Sequence, residues 1–179
     1  LKALYDGTLH TGTFQACALM PQIVKLHQAL QDPAVELVIM ERSPWSNYHV
    51  FAKSNLDETH LGAHEYIFDE MIKLLEPYDL CIHFAYLDVS AEVSIERRIA
   101  RGRKSEENLP AAYIEQLDVA HWTFFKNVEC ERLLFTYETD ITIVPSGSKE
   151  EVVELIGGKA TMYLGLTLVE REDKSLLHL

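Results

Sequence analysis

The stretch DLCIHFAYLDV, residues 79–89, decides how the chain folds. It is short, almost wholly apolar and rich in β-branched and aromatic side chains, the composition of a strand buried on both faces of a parallel sheet. Ser90 follows as an N-cap, and a helix is expected from Ala91 to Ala100. VELVIM (Val35–Met40) and DITIVP (Asp140–Pro145) read as two further buried strands. Helices are expected over Thr13–Leu30, Glu65–Leu75, Ala111–Cys130 and Lys149–Ile156, the last opened by a Ser148, Glu151 capping box. This alternation predicts an α/β fold: a parallel sheet with helices on both faces and a ligand site at the carboxyl ends of its strands.

Composition narrows the function classes. With 179 residues, 47% hydrophobic and 25% charged, the chain has the size and balance of one ordinary globular domain. No apolar run is long enough to cross a membrane, so no membrane partner is expected. Three cysteines, Cys17, Cys81 and Cys130, lie far apart without a C-x-x-C spacing, which argues against a disulfide framework or a zinc site and for a reducing compartment. A net charge of −12 argues against a nucleic-acid partner, which requires a broad basic face. Yet five of the sixteen Lys and Arg residues fall between Arg97 and Lys104. A local basic cluster on an acidic protein points to a small, densely charged ligand.

Position gives the charged residues meaning. Glu41 and Arg42 follow the expected strand ending at Met40, where open α/β sheets bind ligands. A carboxylate there can hold Mg²⁺ and a guanidinium can hold a phosphate; a simple ion pair at a strand end is the plain alternative. Arg97 and Arg101 are spaced i, i+4 on one helix face, Gly102 breaks the helix, and Arg103 and Lys104 enter a polar loop ending at Pro110. Such a layout suits a phosphate-clamping lid, although most charge runs are solvated faces. His60 and His64, also i, i+4, lack an evident third metal ligand.

Four segments in this order, FQACALM (14–20), ERSPWSNYHVFAKSNL (41–56), YLDVSAEVSIERRIARGRKSEENLPAAYIEQLDVAHWTFF (86–125) and TDITIVPSGSKEEVVELI (139–156), resemble the deoxyribonucleoside kinase family. The resemblance implies a P-loop-kinase-like sheet and transfer of phosphate from ATP, with Mg²⁺, to the 5′-hydroxyl of a deoxyribonucleoside in nucleotide salvage. It implies that Gln15 pairs with the base edge, Phe51 stacks on the base, and Tyr5 and Glu106 bind the sugar 3′-hydroxyl, with Glu107 the fallback for Glu106. Glu41 would belong to the Mg²⁺ site and Arg42 would steady the catalytic base. Arg97, Arg101 and Arg103 would clamp the phosphates, while the loop from Pro145 and Ser146 to Ser148 would lie against adenine. Asn47 and Gln22 take the places of a base-selecting aspartate and arginine, leaving base preference open with a lean toward pyrimidines.

The same resemblance sets further expectations. The family's phosphate loop and base glutamate fall upstream of Leu1, and no G-x-x-x-x-G-K-[ST] occurs in the chain. Residues 1–156 are therefore expected to be an N-terminally incomplete kinase domain lacking its first strand, inactive alone, with 157–179 an extension. A homodimer is implied, in the cytoplasm or the mitochondrion. The alternative is a non-catalytic homologue, as the accessory subunit of respiratory complex I is.

Overall fold

The computed structural model describes residues 9–131, 133–134, 137–145, 153–154 and 157. The chain divides into two compact units, Leu1–Pro145 and Ser146–Leu179. The elements below belong to the first; Tyr5, Ser146 and the Ser148–Glu151 capping box lie outside the described residues, as does most of the helix expected at Lys149–Ile156.

Helix α1 (Thr11–Leu30) begins where the His10 ring caps it, Nδ1 accepting the Gly12 N–H at 3.1 Å. Gln15, Leu19, Ile23 and Leu26 fall on one stripe at helical spacing and are its buried residues. Pro21 sits inside this helix. A mid-helix proline costs about 3 kcal/mol of local preference, so burial of the stripe, not propensity, maintains α1.

A second helical passage, for which the sequence set no expectation, follows Ser43. It runs as α2 (Pro44–Ser46), a π-helical stretch (Asn47–Ala52) and α3 (Lys53–Asn55). A reciprocal Ser43–Ser46 capping box with proline in the first turn starts it, and its side chains sink into the core: Pro44, Trp45, Tyr48, Val50 and Ala52 are all buried. Helix α4 (Glu58–Ile72), extended by a 3₁₀ turn (Lys73–Leu75), starts well before the expected Glu65. The Asp57 carboxylate, accepting the His60 N–H at 3.0 Å, supplies that earlier start.

The sheet has the order β1-β3-β2, from β1 (Cys81–Asp88), β2 (Leu133–Leu134) and β3 (Tyr137–Pro145). β1 and β3 are parallel, in register from Cys81 opposite Glu138 to Asp88 opposite Pro145, and β2 pairs antiparallel with β3. α5 (Ala91–Arg101) and α6 (Ala111–Glu131) lie in the crossover between the two parallel strands, an α/β arrangement as expected. Phe84 and Tyr86 bury one face of β1 against Phe124 and Phe125 of α6, with Tyr86 stacked on Phe125 at 4.7 Å.

Two strand expectations need correction. β1 alternates rather than burying both faces, since Cys81, Ala85 and Leu87 are exposed. Val35–Met40 forms no strand among the described residues. Val38 and Met40 pack on the core while Ile39 is 71% exposed, so the segment is half-seated but has no ladder. Apolar, β-branched composition favours extended backbone, but a strand exists only where a neighbouring chain accepts its hydrogen bonds.

Candidate functional site

The amides come first. Gln15 lies on the apolar stripe of α1 and is 4% exposed; Asn47, at the head of the π-helical stretch, is 5% exposed. The Asn47 Oδ1 and Gln22 Oε1 atoms are buried without a partner among the described residues. An unsatisfied buried amide costs about 1–3 kcal/mol, and each of these could recover it from a polar ligand. π-helical turns are rare and recur at functional sites, and this one carries both Asn47 and Phe51.

Beside the amides, Arg42 adopts φ 64°, the left-handed region that non-glycine residues avoid at a cost of about 1–2 kcal/mol. Its guanidinium carbon lies 4.4 Å from the centre of the Phe51 ring, and the His121 ring meets Phe51 edge-on at 5.4 Å. Phe51 thus meets a cation over its ring and an imidazole edge-on, and packs in part against the core. His121 donates from Nδ1 to the Leu117 carbonyl at 2.7 Å. Burial depresses its pKa first; that hydrogen bond opposes the shift and the Arg42 charge adds to it. Glu41 is exposed.

Around them stands a rigid aromatic wall. Tyr48 donates from its hydroxyl to Glu65 Oε1 at 2.5 Å and stacks on Phe68 at 4.7 Å. His49 stacks on Phe124 at 5.1 Å, and its pKa is lowered to about 4, by burial first and then by Lys53, against the opposing charge of Glu65. His64 is buried with neither ring nitrogen hydrogen-bonded among the described residues, and burial lowers its pKa.

The basic cluster forms a folded loop. α5 ends at Gly102 in the left-handed conformation, φ 61°, with the Gly102 N–H donating to the Arg98 and Ile99 carbonyls. A 3₁₀ turn (Lys104–Glu106) then carries the Glu106 carboxylate, 10% exposed, back between two arginines. Arg101 Nη2 donates to its Oε2 at 2.5 Å and Arg103 Nη1 to its Oε1 at 3.3 Å. The Arg101 hydrogen bond is the main cause of a Glu106 pKa held below the usual glutamate range. Sequence reading assigned Glu106 to a sugar and the arginines to phosphates; here the three form one ion-paired group. Arg97 and Arg101 share a face of α5 as expected. A concavity of about 410 Å³ opens in the loop, lined in part by Arg98, Arg103 and Glu106.

Two contributors were missed. His121 carries no motif in the sequence, since nothing in α6 marks which turn reaches Phe51. Arg98 was counted in the cluster without a role, yet its guanidinium reaches back to loop carbonyls. The one legible signal was position: Arg98 lies about 100° round α5 from Arg97. Pro145 closes β3, and among the described residues no group of three or more His, Cys, Asp or Glu side chains could hold a metal.

An α/β core with an arginine-bearing helix and loop after a parallel strand is the architecture of P-loop kinases. A solved deoxyadenosine kinase from M. mycoides with bound dATP superposes with a TM-score of 0.60 at 22% identity, covering 82% of this chain and 72% of that one. The deoxynucleoside kinase family model matches residues 3–159, and the chain belongs to that family. Human deoxycytidine kinase is 25% identical over 155 residues, 78% of this chain and 56% of the relative. Deoxycytidine kinase 2 of Gallus gallus is 29% identical over 147 residues, 73% and 54% of the two chains. The mitochondrial deoxyguanosine kinase of Xenopus laevis is 28% identical over 141 residues, 72% and 53%. The chain spans about half the length of these curated relatives.

Proposed function

We propose that the protein transfers the γ-phosphoryl group of ATP to the 5′-hydroxyl of a deoxyribonucleoside, acting in nucleotide salvage. The observation that carries this reading is the arginine cluster: Arg101, at the end of a glycine-capped helix, and Arg103, just past the glycine, converge on one buried carboxylate. Phosphoryl transfer asks little covalent chemistry of a protein; it asks for aligned reactants and stabilised charge. Arg101 and Arg103, with Arg97 one turn back on α5, would exchange Glu106 for the phosphates as the nucleotide enters. Glu106 would then be released toward the sugar 3′-hydroxyl. Closure of such a loop also excludes water, the competing nucleophile.

The acceptor would lie against Phe51, with Gln15, Gln22 and Asn47 reading its base edge. Carboxamides carry both donors and acceptors, so they can pair with more than one base. Arg42, braced on Phe51, would steady the group that takes the hydroxyl proton. Glu41 is an exposed carboxylate. That suits Mg²⁺, which takes one or two carboxylates and completes its shell with water and substrate phosphates. The metal would neutralise charge on the transferring phosphates. A homodimer in the cytoplasm or the mitochondrion accompanies this reading; among the described residues no helix is long and apolar enough to cross a membrane.

The test is transfer of labelled γ-phosphate from ATP to each of the four deoxynucleosides by the full-length protein. Arg101→Ala should cut turnover at least about a hundredfold, the lower range for arginines at phosphoryl-transfer sites. Wild-type turnover in that variant would sink the lid assignment. No product with any of the four, from a folded protein, would favour the non-catalytic reading.

A further inference from the structure

The five cations between Arg97 and Lys104 are not equivalent. Arg101 and Arg103 turn to the Glu106 carboxylate, whereas Arg98 turns to main-chain carbonyls of the loop. Its Nη1 donates to the main-chain carbonyl of Leu109 and, at 3.4 Å, to that of Glu106. Its own carbonyl accepts the Gly102 N–H that ends α5. One residue therefore grips the loop at three places: the helix end, the residue that carries the buried carboxylate, and the residue just before Pro110. Within the loop, the Leu109 N–H also donates to the Glu106 carbonyl at 3.2 Å and the Glu106 N–H to the Arg103 carbonyl at 2.9 Å. Arg98 is only partly exposed, while Arg101, Arg103 and Lys104 are exposed.

We propose that Arg98 is a positioning residue for the lid: by bracing the Glu106 and Leu109 carbonyls it fixes where the Glu106 carboxylate stands, and through it where Arg101 and Arg103 are presented. The arrangement suits a guanidinium. Its several fixed N–H groups can hold two carbonyls at once, which an ammonium on a flexible stem does poorly. Its positive charge also sits beside the C-terminal end of α5, where the helix dipole favours a cation. Without the brace, the Leu109 carbonyl turns to water, the Glu106 carbonyl keeps only the Leu109 N–H, and the loop between Gly102 and Pro110 retains only its local turns. Hydrogen bonds to a charged group exceed ordinary ones in strength, so their loss should shift the open–closed equilibrium of the loop about tenfold. Arg98 itself is occupied with main chain and takes no part in holding phosphate.

The proposal rests on the lid reading for its catalytic consequence but not for its structural one, and the experiment separates the two. Full-length wild-type, Arg98→Met and Arg98→Lys proteins are digested briefly with trypsin, and the first cuts are identified by mass spectrometry. Cutting after Arg101, Arg103 and Lys104 should accelerate about tenfold in Arg98→Met, with partial restoration in Arg98→Lys. Cutting after Lys73, outside the loop, should stay at the wild-type rate. Equal lid cutting in all three proteins overturns the proposal. So does a parallel rise at Lys73, which would mean general loosening. In the kinase assay, Arg98→Met should lower kcat/KM for ATP about tenfold, and Arg98→Lys should recover part of it. Full activity alongside accelerated cutting overturns the positioning role. Absence of activity in the wild type defeats the kinase reading instead, and the digestion still decides whether Arg98 braces the loop.

Discussion

Gln15→Leu should make the protein more stable and its nucleoside binding weaker. Gln15 occupies the stripe of α1 that otherwise holds Leu19, Ile23 and Leu26 and is 4% exposed; the base-reading role proposed above leaves its amide short of a partner in the ligand-free protein. Burying an amide without a partner costs about 1–3 kcal/mol. Leucine is close in volume, removes that cost and adds apolar contact with the same neighbours; imperfect shape match takes back up to about 1.5 kcal/mol. The net expectation is a gain of about 1 kcal/mol, read as a shift of about 2–4 °C in Tm for a chain of this size. Calorimetry or urea denaturation of the ligand-free protein measures it directly. In the second arm, loss of the base-edge hydrogen bond should weaken deoxynucleoside binding about tenfold to a hundredfold, which titration calorimetry reads. A variant that unfolds more easily by 1 kcal/mol or more would refute the reasoning, because it would mean the amide is a paired structural group.

Two further outcomes follow from the aromatic wall. His49 is neutral in the fold, with its pKa lowered to about 4, and ordinary when unfolded; the unfolded chain therefore binds more protons between about pH 6.5 and 4. Stability should fall as pH drops through that window, by up to about 3 kcal/mol in total, with His64 and His121 shifting in the same direction. His49→Phe should flatten the acid limb of a stability–pH curve, and an unchanged limb would exclude His49 as its source. Phe68 is fully buried and stacked on Tyr48 at 4.7 Å, so Phe68→Ala should cost about 3–5 kcal/mol in denaturant unfolding. A loss below about 1 kcal/mol would mean the core around α4 collapses into the cavity.

Much of the fold was legible because its signals are local. Ser90 as cap, the helix from Ala91, the glycine that stops it and the long apolar β1 each depend on neighbours a few residues away. Boundaries shifted where a capping side chain acted early, as Asp57 does for α4. The passage from Pro44 to Asn55 escaped because its helical turns go with burial of Trp45, Tyr48 and Val50, which only the packed core supplies. The candidate site divides in the same way. Glu41, Arg42 and the lid arginines could be named from motif and spacing, but Gln15 as a buried amide, His121 against Phe51 and the Arg98 brace could not.

The sequence by itself determined the family, the α/β order and the basic cluster between Arg97 and Lys104, because composition, caps and motif spacing are written along the chain. Tertiary structure alone decided which of those charges face one another. Glu106 draws in Arg101 and Arg103 across a left-handed Gly102, while Arg98 turns to carbonyls. It also decided that Val35–Met40, strand-like in composition, has no ladder among the described residues. The physical reason is common to both: a hydrogen bond or an ion pair needs its partner within about 3 Å, and that distance is set by how the elements pack.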